Sequence, residues 1–89
     1  MPITQSQKAE IARIKIQVET VRKKQEKLKE RKRQLTESFK RRIEQTSDSV
    51  RKRSIRIEKI AAMDRISRES QSLKDEISRY KKRISVIKK

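Results

Sequence analysis

The chain is 89 residues long with 28 Lys+Arg against 12 Asp+Glu, a formal charge of +16, only 30% hydrophobic residues and two aromatics, Phe39 and Tyr80. It contains no Cys, His, Gly or Trp, which excludes zinc fingers, disulfide scaffolds, Cys- or His-based catalysis, Gly-rich phosphate loops and dinucleotide fingerprints. No apolar run approaches the roughly 18 residues of a membrane span and residues 1–20 lack a signal-peptide apolar region, so the expected location is cytoplasmic or nucleoid/nuclear, neither secreted nor transmembrane.

So few large apolar residues cannot fill a compact globule. What separates the chain from a disordered one is the order of its apolar residues and the single Pro, at position 2. Just after it, Thr4 and Gln7 have the spacing of a capping box, which predicts a first helix over about residues 5–45.

Within that stretch Ile14, Val21, Leu28 and Leu35 recur every seven residues. A second row, Ile11, Val18, Gln25, Lys32 and Phe39, is offset by three. Together they form the alternating seam of a coiled coil, broken by polar Gln25 and Lys32. Lys32 is expected to run its aliphatic stem past Met63 or Leu28. Short β-branched alternations such as Ile14, Ile16 and Val18 favour strand, but the Lys, Arg, Glu, Gln and Leu around them favour helix.

The segment Gln45-Thr46-Ser47-Asp48-Ser49 is polar, non-basic and made of residues that prefer caps and turns. It predicts a turn at about 46–49 and a second helix over about 50–88. In that helix Met63, Ile66, Ser70, Leu73, Ile77, Tyr80, Ile84 and Ile87 repeat the seam alternation with one polar member. The two frames do not join, so the phase resets between about 40 and 58. The expected fold is all-α: an elongated antiparallel two-helix coiled-coil hairpin in a single helical domain, 1–89, forming a homo-oligomer. The alternative is one continuous helix in a coiled-coil dimer, with a stutter at the reset. Absence of Gly at the turn favours that alternative, because helix C-termini prefer it.

Folding at the turn sets Val18 near Ile77, Leu28 near Ile66, Leu35 near Ile60 and Gln25 beside Ser70; a register shifted by half a heptad fits nearly as well. Ile16 and Ile55 lie off the seam and are the expected oligomer contacts. A hairpin of 40-residue arms makes a rod of about 60 Å, and a continuous helix one of about 120 Å.

Counted along the chain, residues 22–59 carry sixteen basic and six acidic groups, which points to the turn-proximal half as the strongly positive end. Its dense runs name the candidate nucleic-acid contacts: Arg31, Arg33, Lys40, Arg41, Arg42, Arg51, Lys52, Arg53 and Arg56. Helical spacing of about 5–6 Å between neighbouring cations suits backbone phosphates. The basic residues look distributed around the helices, with no stripe that names a docking face. The plain alternative for each is a solvated helix surface paired with Glu, as Glu26, Glu30, Glu37 and Glu44 allow, but twelve carboxylates cannot balance 28 cations. Arg51-Lys52-Arg53-Ser54 also has the form of a basophilic phosphorylation site.

No catalytic, metal or cofactor residues are expected. The carboxylates Asp64, Glu69, Asp75 and Glu76 lie among basic neighbours with no pocket for acid–base work. A narrow seam with few aromatics does not suit a membrane interface or sequence-specific base stacking. The expected function is therefore non-enzymatic, charge-driven binding of double-stranded nucleic acid through its phosphates, with little sequence preference. The alternative is a small adaptor or inhibitor docking its basic surface on an acidic protein.

Overall fold

Thr4 fixes where the first helix starts. In the computed structural model, which describes residues 2–89, its backbone is extended and its hydroxyl accepts from the Gln7 N–H at 3.2 Å, while Gln7 Oε1 accepts from the Thr4 N–H at 2.9 Å. This reciprocal capping box satisfies two of the otherwise unpaired donors of the first turn. Helix α1 then runs unbroken over Gln5–Glu44, and helix α2 over Ser49–Lys88. The two pack antiparallel as a rod measuring 69 × 15 × 11 Å. The hairpin, not the continuous helix, is the fold.

The reversal is made without a left-handed residue. No residue described has positive φ; Gln45 closes α1 in the right-handed region at φ −81° and ψ −7°. Gln45 N–H donates to Arg41 O at 2.9 Å, Thr46 N–H to Ile43 O at 3.2 Å, and the Thr46 hydroxyl to Arg42 O at 2.6 Å. The last carbonyls of α1 are thus satisfied by Thr46, so the Gly that usually serves there is unnecessary. Three residues later Asp48, extended at ψ 121°, accepts from the Val50 N–H at 2.9 Å and starts α2. Its carboxylate also faces the positive end of the α2 dipole. Asp48→Ala is expected to cost about 1 kcal/mol. In a chain of this size that lowers the thermal midpoint by about 4–8 °C, read by circular dichroism.

Between the helices the core is a seam one residue deep. Ile11, Ile14, Val18, Val21, Leu28 and Phe39 are buried on α1, and Ile55, Ile66 and Leu73 on α2. Val21, Leu28, Ile66 and Leu73 form its central cluster, flanked by half-buried Leu35, Met63, Ile77 and Tyr80. All eight members of the α2 series are buried or half-buried. Leu28 meets Ile66 as expected, and the ion pairs Glu10–Arg83 at 3.7 Å and Arg42–Glu58 at 3.0 Å cross between helices toward either end.

Three expectations fail toward the turn, two of them for one reason. Ile55, expected off the seam as an oligomer contact, is buried; Ile60, expected against Leu35, is 69% exposed; Lys32, expected in the seam, is exposed. On α2 the inward positions run Ile55, Lys59, Met63, Ile66, Ser70 and Leu73, so two steps of four follow one another at Ile55–Lys59–Met63. That stutter is the phase reset. It turns Ile55 inward and Ile60 outward, and it leaves Lys59 half-buried along its stem. Lys32 lies along a groove that Ser67 and Ser70 also line, and its side chain is exposed there.

Candidate nucleic-acid interface

The nine candidate cations fall into two groups. Lys40, Arg41 and Arg42 end α1, and Arg51, Lys52, Arg53 and Arg56 begin α2, so these seven ring the turn, while Arg31 and Arg33 lie further along α1. All are exposed except Lys52, which is half-buried. Carboxylates already engage three of them. Arg33 binds Glu30 through both Nε and Nη2, and that hydrogen bonding holds the Glu30 carboxyl below its ordinary pKa and raises Arg33 above its own. Arg41 reaches Glu37 at 3.7 Å. Arg42 pairs with Glu58 and lies over the Phe39 ring, 5.3 Å from its centroid. Apart from Arg31, the rest surround the tip: Arg51 lines a groove with Arg42 and Glu58, while Arg56 lines another with Ile43 and Ile60.

Folding also redistributes charge in a way that counting along the chain conceals. The turn end, residues 33–61, holds nine basic and four acidic residues. The open end, residues 2–17 with 77–89, holds nine basic and one acidic, Glu10. The more positive end is the open one. Chain-wise counting missed it because its cations come from two segments more than sixty residues apart.

The two edges of the seam differ still more. On one edge lie the residues that precede the seam row of Ile11, Val18 and Gln25, namely Glu10, Gln17 and Lys24. Facing them on α2 are the residues that precede Ser70, Ile77 and Ile84, namely Glu69, Glu76 and Arg83. This edge mixes signs, and both interhelical ion pairs, Glu10–Arg83 and Arg42–Glu58, lie along it.

The opposite edge carries the residues that follow Gln7, Ile14, Val21 and Leu28: Lys8, Lys15, Arg22 and Lys29. From α2 it receives the residues that follow Leu73, Tyr80 and Ile87: Lys74, Lys81 and Lys88. All seven are exposed, and none takes part in an ion pair among the described residues. Like charges across a helix contact are destabilising. This edge therefore opposes folding, while its counterpart assists it. The basic stripe that chain-wise reading did not find is a seven-residue repeat, legible once each seam position is followed by its next residue.

Midway along this edge a groove of about 710 Å³ opens between Arg22, Lys29 and Lys32 on α1 and Lys74 on α2. It forms where the polar seam members Gln25 and Ser70 coincide, since neither fills the volume of a Leu or Ile. Gln25, Ser67, Ser70 and Gln71 add neutral donors to its walls, and Glu26 is its one carboxylate. Cations with hydroxyl and amide donors are what phosphate oxygens accept from. The stripe from Lys8 to Lys29 spans about 30 Å of helix. That covers about nine base pairs at 3.4 Å each.

Neither aromatic is placed to stack on a base. Phe39 is buried, and Tyr80 is half-buried with its hydroxyl 3.5 Å from Glu76 Oε1. Among the described residues no helix is long and apolar enough to cross a membrane, and no three acidic side chains cluster as metal ligands would. No protein-family model, curated protein or solved structure matches this chain, so the interface is defined by its own residues alone.

Proposed function

We propose that the hairpin is a non-enzymatic, charge-driven nucleic-acid-binding protein that holds duplex phosphates along its basic edge. The observation that carries this reading is the asymmetry between the two edges: one mixes signs and carries ion pairs, the other holds seven exposed cations that form no ion pair among the described residues. Interhelical repulsion along that edge is relieved when phosphates enter between the rows and condensed counterions leave. The helices contribute spacing and the cations contribute affinity. The buried Phe39 and half-buried Tyr80 leave base edges and base faces unread, so binding depends little on sequence. Of the nine cations at and near the turn, those outside ion pairs add to the long-range field that steers the encounter.

Seven phosphate contacts give a slope of log affinity against log salt of about −6. Fluorescence anisotropy with unrelated duplexes of about 20 base pairs should return that slope and equal affinities across sequences. Absence of binding at about 50 mM salt would end this reading. Recovery from lysate of a stoichiometric acidic protein that survives nuclease treatment would replace it with docking on a protein.

A further inference from the structure

We infer that the turn-proximal half of α2 is a self-complementary surface on which a second copy of this chain docks antiparallel. Three of the five exposed large hydrophobic residues lie here: Val50 at 75%, Ile57 at 63% and Ile60 at 69% exposure. With Arg53, Asp64 and Ser67 they form the series Val50, Arg53, Ile57, Ile60, Asp64 and Ser67, stepping by three and four residues alternately. This is the spacing of a coiled-coil seam, placed on a flank of α2 that α1 does not cover. Beside Ile60 a groove of about 610 Å³, lined also by Ile43 and Met63, deepens the apolar part.

The order of the series identifies the occupant. A two-fold contact requires one surface to contain both halves of every pair. Set antiparallel about a point between Ile57 and Ile60, the series pairs Ile57 with the partner's Ile60, Arg53 with the partner's Asp64, and Val50 with the partner's Ser67. Each pair then occurs twice. Arg53 is in no ion pair among the described residues. Asp64 gives one oxygen to Arg68 at 2.8 Å, and a carboxylate accepts from more than one guanidinium. The orientation also suits the net charge: it sends the two open ends, each with nine basic residues against one acidic, to opposite extremes of the assembly. The cations of the stripe, Lys8 to Lys29 and Lys74 to Lys88, stay outside the contact, which meets their groove only at Ser67. The inference rests on the hairpin and does not depend on the nucleic-acid reading.

Sedimentation equilibrium on the nucleic-acid-free chain should give twice 10.7 kDa. Two 69 Å rods overlapping by 20 residues should have a maximum dimension of about 110 Å in small-angle scattering. R53D and D64R should each weaken the dimer at least about tenfold with helix content unchanged, and R53D combined with D64R should restore it. I60D, which keeps both charges, should give monomer. A monomer up to about 100 μM would overturn the inference. So would a dimer indifferent to I60D and R53D, a dimer no longer than one rod, or single reversals that the double reversal does not rescue.

Discussion

Replacing Lys15, Arg22, Lys74 and Lys81 together by Gln is expected to lower duplex affinity about 10³-fold at about 0.1 M salt and to flatten the salt slope from about −6 to about −3. Both figures follow from removing four of seven phosphate contacts, each contributing about 0.9 to the slope. The same four changes should raise the thermal midpoint, because these like charges share an edge that carries no ion pair among the described residues, Arg22 and Lys74 lining one groove. A gain in stability with a loss of binding separates a binding edge from a structural one. The matched control is Lys40, Arg41, Arg51 and Lys52 to Gln, which removes the same charge from around the turn. It is expected to cost less than a tenth as much affinity. A larger loss from the control would move the docking site to the tip.

How much of this was legible in sequence differs between backbone and surface. The seam of α2 is readable because helical packing is local: each turn presents one residue inward, and the spacing records it from Met63 to Ile87. The turn is readable for the same reason, since Thr46 and Asp48 act on backbone groups within four residues of themselves. The absence of Gly misdirects only if a left-handed residue is assumed, whereas here a threonine hydroxyl does that work at negative φ. That the phase resets was legible, but the position of the stutter, Ile55–Lys59–Met63, was not. An extra step of four becomes visible only when the opposing helix shows which of Ile55 and Ile60 it covers, and it covers Ile55.

The basic edge escaped for a different reason. Runs such as Arg31-Lys32-Arg33 draw attention because their charges are adjacent in sequence, yet adjacent residues point about 100° apart on a helix and do not act on one partner. Lys8, Lys15, Arg22 and Lys29 are never adjacent, and each stands next to a seam residue that sets its direction. Carboxylates three or four residues away engage Arg33 and Arg41, while among the described residues none pairs with the edge cations. In the proposed function, phosphate binding is a property of the folded edge. The density of charge along the polymer describes only its solubility and its long-range field.

If that is so, binding must fail when the rod melts, even with every cation retained. Leu28→Ala tests this, because Leu28 is 7% exposed within the central apolar cluster and carries no charge. Truncation there is expected to cost about 2–4 kcal/mol. A chain of this length has about 4–13 kcal/mol in total at 0.05–0.15 kcal/mol per residue. The midpoint should fall by at least about 10 °C, read by circular dichroism. Between the midpoints of the variant and the parent lies a temperature window in which both carry +16 but only the parent is helical. Within it the parent should hold duplex with the slope of about −6, and the variant should bind at least tenfold more weakly with a shallower slope. The two rows of lysines keep their opposed register only while Leu28 and Ile66 hold the helices together. Equal affinity of the molten and folded chains would mean that charge alone suffices, and the arrangement of the edge would have no part in binding.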